Sequence, residues 1–122
     1  MAVLDTNIII EVGKGNIKVL DRVLAIDNYF QITSLTRFEI MIGAPKFMEL
    51  NLVDSLNCLN FDRRSADLAA KIHRTLKKEG IVMSLRDLFI GSICISSGEK
   101  LITMDSDFTV LENFGLETVL LR

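Results

Sequence analysis

The sequence predicts an α/β fold: a three-layer α/β/α sandwich with a mostly parallel central sheet of about five strands. Three observations predict it. Short apolar runs alternate with amphipathic segments along the whole chain, capping residues and glycines punctuate the junctions, and 122 residues at 49% hydrophobic content with one proline suit one compact domain spanning 1–122 with a real core.

Taken in order, Ala2-Val3-Leu4 reads as a strand that runs straight into Asp5, and "IIIEVG" suits a short helix that Gly13 or Gly15 can end. "NIKVLDRVLAI" follows, with Ile17, Leu20, Val23 and Leu24 at helical spacing. "YFQIT" is a second strand; Ser34 or Thr36 can cap a helix through Ile42, and Pro45 can open another through about Ser55. "NCLNF" is a third strand, after which Asp62 caps a long helix with Ala69, Ile72 and Leu76 on its apolar stripe, ending near Gly80. Ser84 caps "LRDLFIGSICISS", which Gly98 closes. "KLIT", the short helix "SDFTVLENFG" and the strand "LETVLL" complete the chain.

Composition sets bounds on function. No apolar run approaches the roughly 18 residues that span a bilayer, and an acid at position 5 with no basic leader points to a soluble, cytoplasmic protein without membrane contact. Cys58 and Cys94 lie isolated in apolar surroundings, so reduced thiols are expected. A formal charge of −2 does not announce a nucleic-acid binder, but if four acids gather around metal, the remaining 12 are outnumbered by the 14 Lys and Arg. Charge leaves a phosphate substrate open.

A carboxylate that interrupts a buried run costs several kcal/mol of desolvation unless it is protonated, paired or bound to a cation. In an open parallel sheet the ligand crevice lies beyond the carboxyl ends of the strands, and acids cluster at those junctions: Asp5 after strand one, Glu39 after strand two, Asp105 and Asp107 after strand four, and Asp87 in the first turn of the helix that Ser84 caps. Each has a local alternative. Thr36 to Glu39 and Ser84 to Asp87 fit the capping-box pattern, Asp105 can cap the helix of Phe108, and Asp107 can be a solvated first-turn acid.

Converging carboxylates need positive charge, which Mg²⁺ or Mn²⁺ provides through oxygen ligands. The chemistry implied is metal-assisted hydrolysis of a phosphodiester, in which the cation activates water and neutralises phosphoryl charge. Removing one acid would then relieve repulsion in the metal-free chain, so Asp5→Asn is expected to leave the fold intact or more stable. His73 is the only histidine, which excludes two-imidazole mechanisms, and there is no Gly-rich phosphate loop or GxSxG elbow.

"LDTNIII", "LTRFEIMIG", "SLRDLFIGSICI" and "LITMDSDF" resemble the four acidic motifs of PIN-domain ribonucleases, above all the VapC-type toxins of toxin–antitoxin pairs. The resemblance runs from residue 4 to 108 and so covers nearly the whole chain. It implies that Asp5, Glu39, Asp87 and Asp105 are metal-binding catalytic acids and that Asp107 shares the last role. Asn7 and Thr103 are implied to orient Asp5 or water. It further implies Mg²⁺- or Mn²⁺-dependent endonucleolytic cleavage of single-stranded or structured RNA, a homodimer, and a cognate antitoxin. A free-standing RNA-processing nuclease and a non-catalytic RNA- or protein-binding module are the alternatives.

Arg37 and Arg86 each stand beside a proposed ligand and could contact phosphate or pair with an acid; Lys71, Arg74 and Lys78 share one helix face and read as solvated. Tyr29 and the seven phenylalanines read mostly as core, so base stacking is not expected.

Overall fold

The structure, a computed structural model, describes residues 1–121. Five strands form one wholly parallel sheet in the order β3-β2-β1-β4-β5: β1 (Ala2–Leu4), β2 (Phe30–Thr33), β3 (Asn57–Leu59), β4 (Lys100–Thr103) and β5 (Thr118–Leu120). From β1 the chain builds outward to β3, then returns to the other side of β1 with β4. The switch point therefore falls between β1 and β4, where the residues that follow them, Asp5 and Asp105, share one rim.

Alternation within the strands creates two cores. Ala2, Leu4, Ile32 and Ile102 point to the face covered by α1 (Thr6–Gly13), α2 (Ile17–Leu24), α3 (Ser34–Ile42) and α4 (Phe47–Ser55), where they meet Ile8, Ile9, Val23 and Val53. Val3 and Leu101 point to the other face, covered by α5 (Arg63–Lys78), α6 (Leu85–Ser97) and a 3₁₀ helix (Ser106–Phe114), where they meet Ile72, Leu88, Ile90, Phe108 and Leu111. Burial of each such valine, leucine, isoleucine or phenylalanine side chain stabilises the fold by about 1.5–3 kcal/mol. Gly91 in α6 makes room for that second layer, since a Cβ there would overlap the Leu111 side chain.

The element order matches the sequence reading, and several boundaries are refined. Thr33, rather than Ser34 or Thr36, caps α3: its hydroxyl accepts the Thr36 amide at 3.2 Å, so Thr36 lies inside the first turn and forms no capping box with Glu39. Lys46, without a side-chain cap bond, precedes α4 in place of a start at Pro45. The segment after Asp105 winds as a 3₁₀ helix. Gly98 closes α6 in the left-handed region at φ 70°, as its position predicts.

The aromatic residues depart from expectation. Phe108 is fully buried, but Tyr29, Phe38 and Phe47 are exposed on the surface, and Phe61 stacks against Phe89 with ring centroids 4.4 Å apart at the edge of the α5–α6 layer. Short helices of an α/β protein bury only a stripe against the sheet, and Phe38 and Phe47 fall outside it. Cys58 and Cys94 are free thiols, and burial raises the pKa of both. Among the described residues no helix is long and apolar enough to cross a membrane.

Candidate metal centre at the carboxyl ends of β1 and β4

Asp5 is fully buried and extended, at the point where β1 becomes α1. Its backbone amide still pairs with Ile102 of β4 at 3.0 Å, while its side chain caps α1 by accepting the Thr6 amide at 2.8 Å. Strand and helix thus meet at one residue with no loop between them. Its second oxygen accepts from Thr103 Oγ1 at 2.7 Å.

Glu39, on the second turn of α3, reaches the same rim. Thr6 Oγ1 donates to Glu39 Oε1 at 2.6 Å and lies 3.0 Å from Thr36 Oγ1, which ties α1 to α3 through two hydroxyls. Asp87 is held in the first turn of α6, where Ser84 Oγ accepts its amide at 3.1 Å. Asp105 caps the 3₁₀ helix by accepting the Asp107 amide at 2.9 Å, and its own amide donates to Thr103 Oγ1 at 3.0 Å. Capping and convergence coexist: the local bonds that fix Asp5, Asp87 and Asp105 also aim them at one rim.

The positive charge that this cluster requires comes from Arg86. Its guanidinium donates Nη2 to Asp5 Oδ1 at 2.9 Å, Nε to Glu39 Oε2 at 2.8 Å, Nη2 to Glu39 Oε1 at 2.9 Å, and Nη1 to Asp87 Oδ1 at 2.7 Å. Burial alone would raise the Glu39 carboxyl, but hydrogen bonds from Arg86 and Thr6 outweigh it and hold that carboxyl below its ordinary range. Burial likewise opposes the charge on Arg86, and its contacts with Glu39, Asp5 and Asp87 more than offset this, leaving the guanidinium more firmly protonated than a free arginine.

Asp87 also belongs to a second grouping. One carboxylate oxygen from each of Asp87, Asp105 and Asp107 lies within 4.8 Å of the others, close enough for one ion to bridge them. The donor set is all oxygen and strongly anionic, which suits Mg²⁺ or Mn²⁺ and not a soft metal. That three of the acids already grip an internal cation supports the same fit.

The remaining candidates divide. Thr103 touches Asp5 and the Asp105 backbone, while Asn7 Oδ1 instead faces the Met104 amide at 3.4 Å and steadies the turn after β4. Arg37 points away from the acids and pairs with Asp54 of α4 at 2.9 Å. Lys71, Arg74, Lys78 and His73 lie exposed on α5. The sequence reading did not assign Thr6 to the site and treated Thr36 only as a helix cap. Only the position of Thr6 between Asp5 and Asn7 hints at its part, and the contact of Thr36 with Thr6 has no local signal because the two are 30 residues apart.

The PIN domain family profile matches residues 2–113. Ribonuclease VapC3 of Methanocaldococcus jannaschii is 45% identical over 92 residues, covering 75% of this chain and 96% of that protein. Among solved structures, VapBC2 from Rickettsia felis bound to a DNA fragment from their promoter superposes with TM-score 0.81 at 20% identity, covering 99% of this chain and 98% of that one. VapBC-1 from nontypeable Haemophilus influenzae superposes with TM-score 0.78 at 24% identity, covering 98% and 96%. At these identities the superpositions speak to fold, whereas the profile and the VapC3 alignment speak to kinship. With a five-stranded parallel sheet and acids gathered at its switch point, the chain belongs to the PIN domain family.

Proposed function

We propose that this protein is a Mg²⁺- or Mn²⁺-dependent endoribonuclease that hydrolyses phosphodiester bonds of single-stranded RNA, and that it is the toxin of a VapBC-type pair. The observation that carries the reading is the convergence of Asp5, Glu39, Asp87, Asp105 and Asp107, from four separate segments, on one rim. The 45% identity to a ribonuclease supports the activity, and the likeness to toxin–antitoxin complexes supports an antitoxin partner. Homodimerisation and a cytoplasmic setting complete the proposal.

In this reading Asp5, Glu39, Asp87 and Asp105 hold the metal, and Asp107 shares the position of Asp105. The bound ion would supply activation of the attacking water and neutralisation of charge on the phosphoryl and leaving oxygens. The chain's own work is orientation. Thr103 fixes the Asp5 carboxylate plane and the Asp105 backbone with one hydroxyl, and Thr6 does the same for Glu39. His73 lies exposed on α5 and takes no part in the described hydrogen bonds of the cluster, and it serves as neither base nor acid.

The test is the chemistry of the product ends. Incubated with a mixed-sequence single-stranded RNA and Mn²⁺, the protein should leave linear phosphate monoesters, as attack by water requires. Ends carrying 2′,3′-cyclic phosphate would mean attack by the RNA's own 2′-hydroxyl and would contradict the proposal.

A further inference from the structure

Arg86 is the one cation that touches the proposed metal ligands among the described ion pairs, and it touches three of them. We infer that Arg86 is an internal competitor for the metal: its guanidinium holds Asp5, Glu39 and Asp87 until a divalent cation displaces it. The inference rests on the metal-dependent reading above and adds a residue that sets how tightly the metal binds.

Counting lone pairs carries the argument. Asp5 Oδ1 accepts from the Thr6 amide and from Arg86 Nη2, so both of its lone pairs are taken. Glu39 Oε1 accepts from Thr6 Oγ1 and Arg86 Nη2 and is likewise full. Only when Arg86 leaves does either oxygen regain a site for a cation.

The two kinds of partner differ in mobility. Thr103, the Thr6 amide and Thr6 Oγ1 belong to short side chains or backbone at the ends of β4 and α1, so they can still hold the carboxylates once Arg86 leaves, although Thr6 Oγ1 also accepts from Arg86 Nη2 at 3.2 Å and loses that bond. Arg86 is a long side chain with 32% of its surface exposed at the rim, free to swing outward without unfolding α6. Asp5, by contrast, is wholly enclosed. The metal-free protein thus offsets part of its acids' charge with a removable cation, and a metal ion entering beside Asp87 meets like-charge repulsion from the guanidinium until that charge moves away.

The experiment is Mn²⁺ titration by calorimetry of the wild-type chain, Arg86→Gln and Arg37→Gln, each stripped of metal beforehand. Arg37→Gln controls for simple loss of a surface charge, because Arg37 pairs with Asp54 and not with the cluster. In parallel, the ¹⁵N side-chain resonance of Arg86 Nε–H, assigned by its absence in Arg86→Gln, is followed during titration with Mg²⁺. Arg86→Gln is expected to bind Mn²⁺ at least about tenfold more tightly, Arg37→Gln within about twofold of wild type, and the Nε–H signal to move in step with Mg²⁺ occupancy. Unchanged or weaker Mn²⁺ binding by Arg86→Gln, or an Nε–H signal unmoved at saturation, overturns the inference while leaving the metal reading intact. If no protein binds Mn²⁺, the metal reading itself falls, and the competitor with it. Should Arg86→Gln fail to fold, Arg86→Lys substitutes a point charge for the fork and is expected to bind Mn²⁺ about threefold more tightly than wild type; affinity equal to wild type then counts against the inference.

Discussion

Thr103 Oγ1 donates a 2.7 Å hydrogen bond to Asp5 Oδ2, joining two residues 98 apart in sequence at the ends of the neighbouring strands β4 and β1. The same hydroxyl accepts the Asp105 amide at 3.0 Å, so one oxygen positions acids on both sides of the switch point. That arrangement follows from the sheet order, which places β4 against β1 and not against β3.

Thr103→Val keeps the shape and removes the hydroxyl, leaving a buried carboxylate oxygen and a backbone amide without that partner. The loss is expected to cost about 1–3 kcal/mol of folding stability, read as a lower urea midpoint with an unchanged slope. Metal affinity should fall about 10- to 100-fold, since a ligand loses its orienting bond. A variant indistinguishable from wild type in both measurements would show that the bond does not orient Asp5.

Asp5→Asn should abolish cleavage, reducing it at least about 100-fold. Its effect on stability reverses the expectation from sequence. Repulsion among bare acids would make the substitution neutral or favourable, but the acids are not bare: Arg86 compensates them, and Asp5 is fully enclosed with three donors directed at it. An amide offers fewer acceptor sites to those donors, so the metal-free variant is expected to be about 1–3 kcal/mol less stable than wild type. Thermal melting in EDTA checks the sign, and a variant more stable than wild type would mean that repulsion dominates after all.

Metal should stabilise the wild-type fold by mass action. An ion bound to the folded state alone contributes about 2.7 kcal/mol at a concentration 100 times its dissociation constant, and the melting temperature should climb by several degrees with Mn²⁺ and return on chelation. Asp105→Asn with Asp107→Asn should abolish that shift. A shift of full size in the double variant would place the ion elsewhere.

At the start of α5, Asp62 accepts both the amide and the hydroxyl of Ser65 at 2.9 Å, and these bonds hold its pKa below the usual aspartate range. A carboxylate depressed in the folded state contributes stability that is fully present above its unfolded pKa of about 3.9 and is lost as pH falls through the lower folded value. Asp62→Asn still offers an oxygen to the cap but cannot titrate. The two proteins should therefore have similar urea midpoints at pH 7, and the acid-induced loss of stability below about pH 4 should be smaller in the variant. Identical acid limbs would assign that loss to other carboxylates.

What the sequence made legible was local. Ser84 and Gly98 bracket α6, Asp62 opens α5 and "KLIT" forms β4 as read, because a cap or a strand is fixed by neighbours a few residues away. The start of α3 was misplaced because β2 runs into it without a loop, so the last strand residue, Thr33, does the capping. Exposure of Phe38 and Phe47 could not be read from residue type, since apolar character alone does not say which side of a short helix meets the sheet, and Tyr29 lies just ahead of β2 and not within it. The acids were visible as strand-end residues once a parallel sheet was assumed. Their pairing was not: Arg86 reaches Asp5 across 81 positions and Glu39 across 47, and both contacts depend on how α1, α3 and α6 meet at the rim.

The acids at this rim are proposed to form a catalytic metal site. The most direct test is cleavage of a mixed-sequence single-stranded RNA by wild type and Asp5→Asn, purified identically, each with Mn²⁺ and with excess EDTA. Cutting is expected from wild type with Mn²⁺, abolished by EDTA and absent from the variant. Equal cutting by both proteins, or cutting by wild type that survives EDTA, would contradict the proposal.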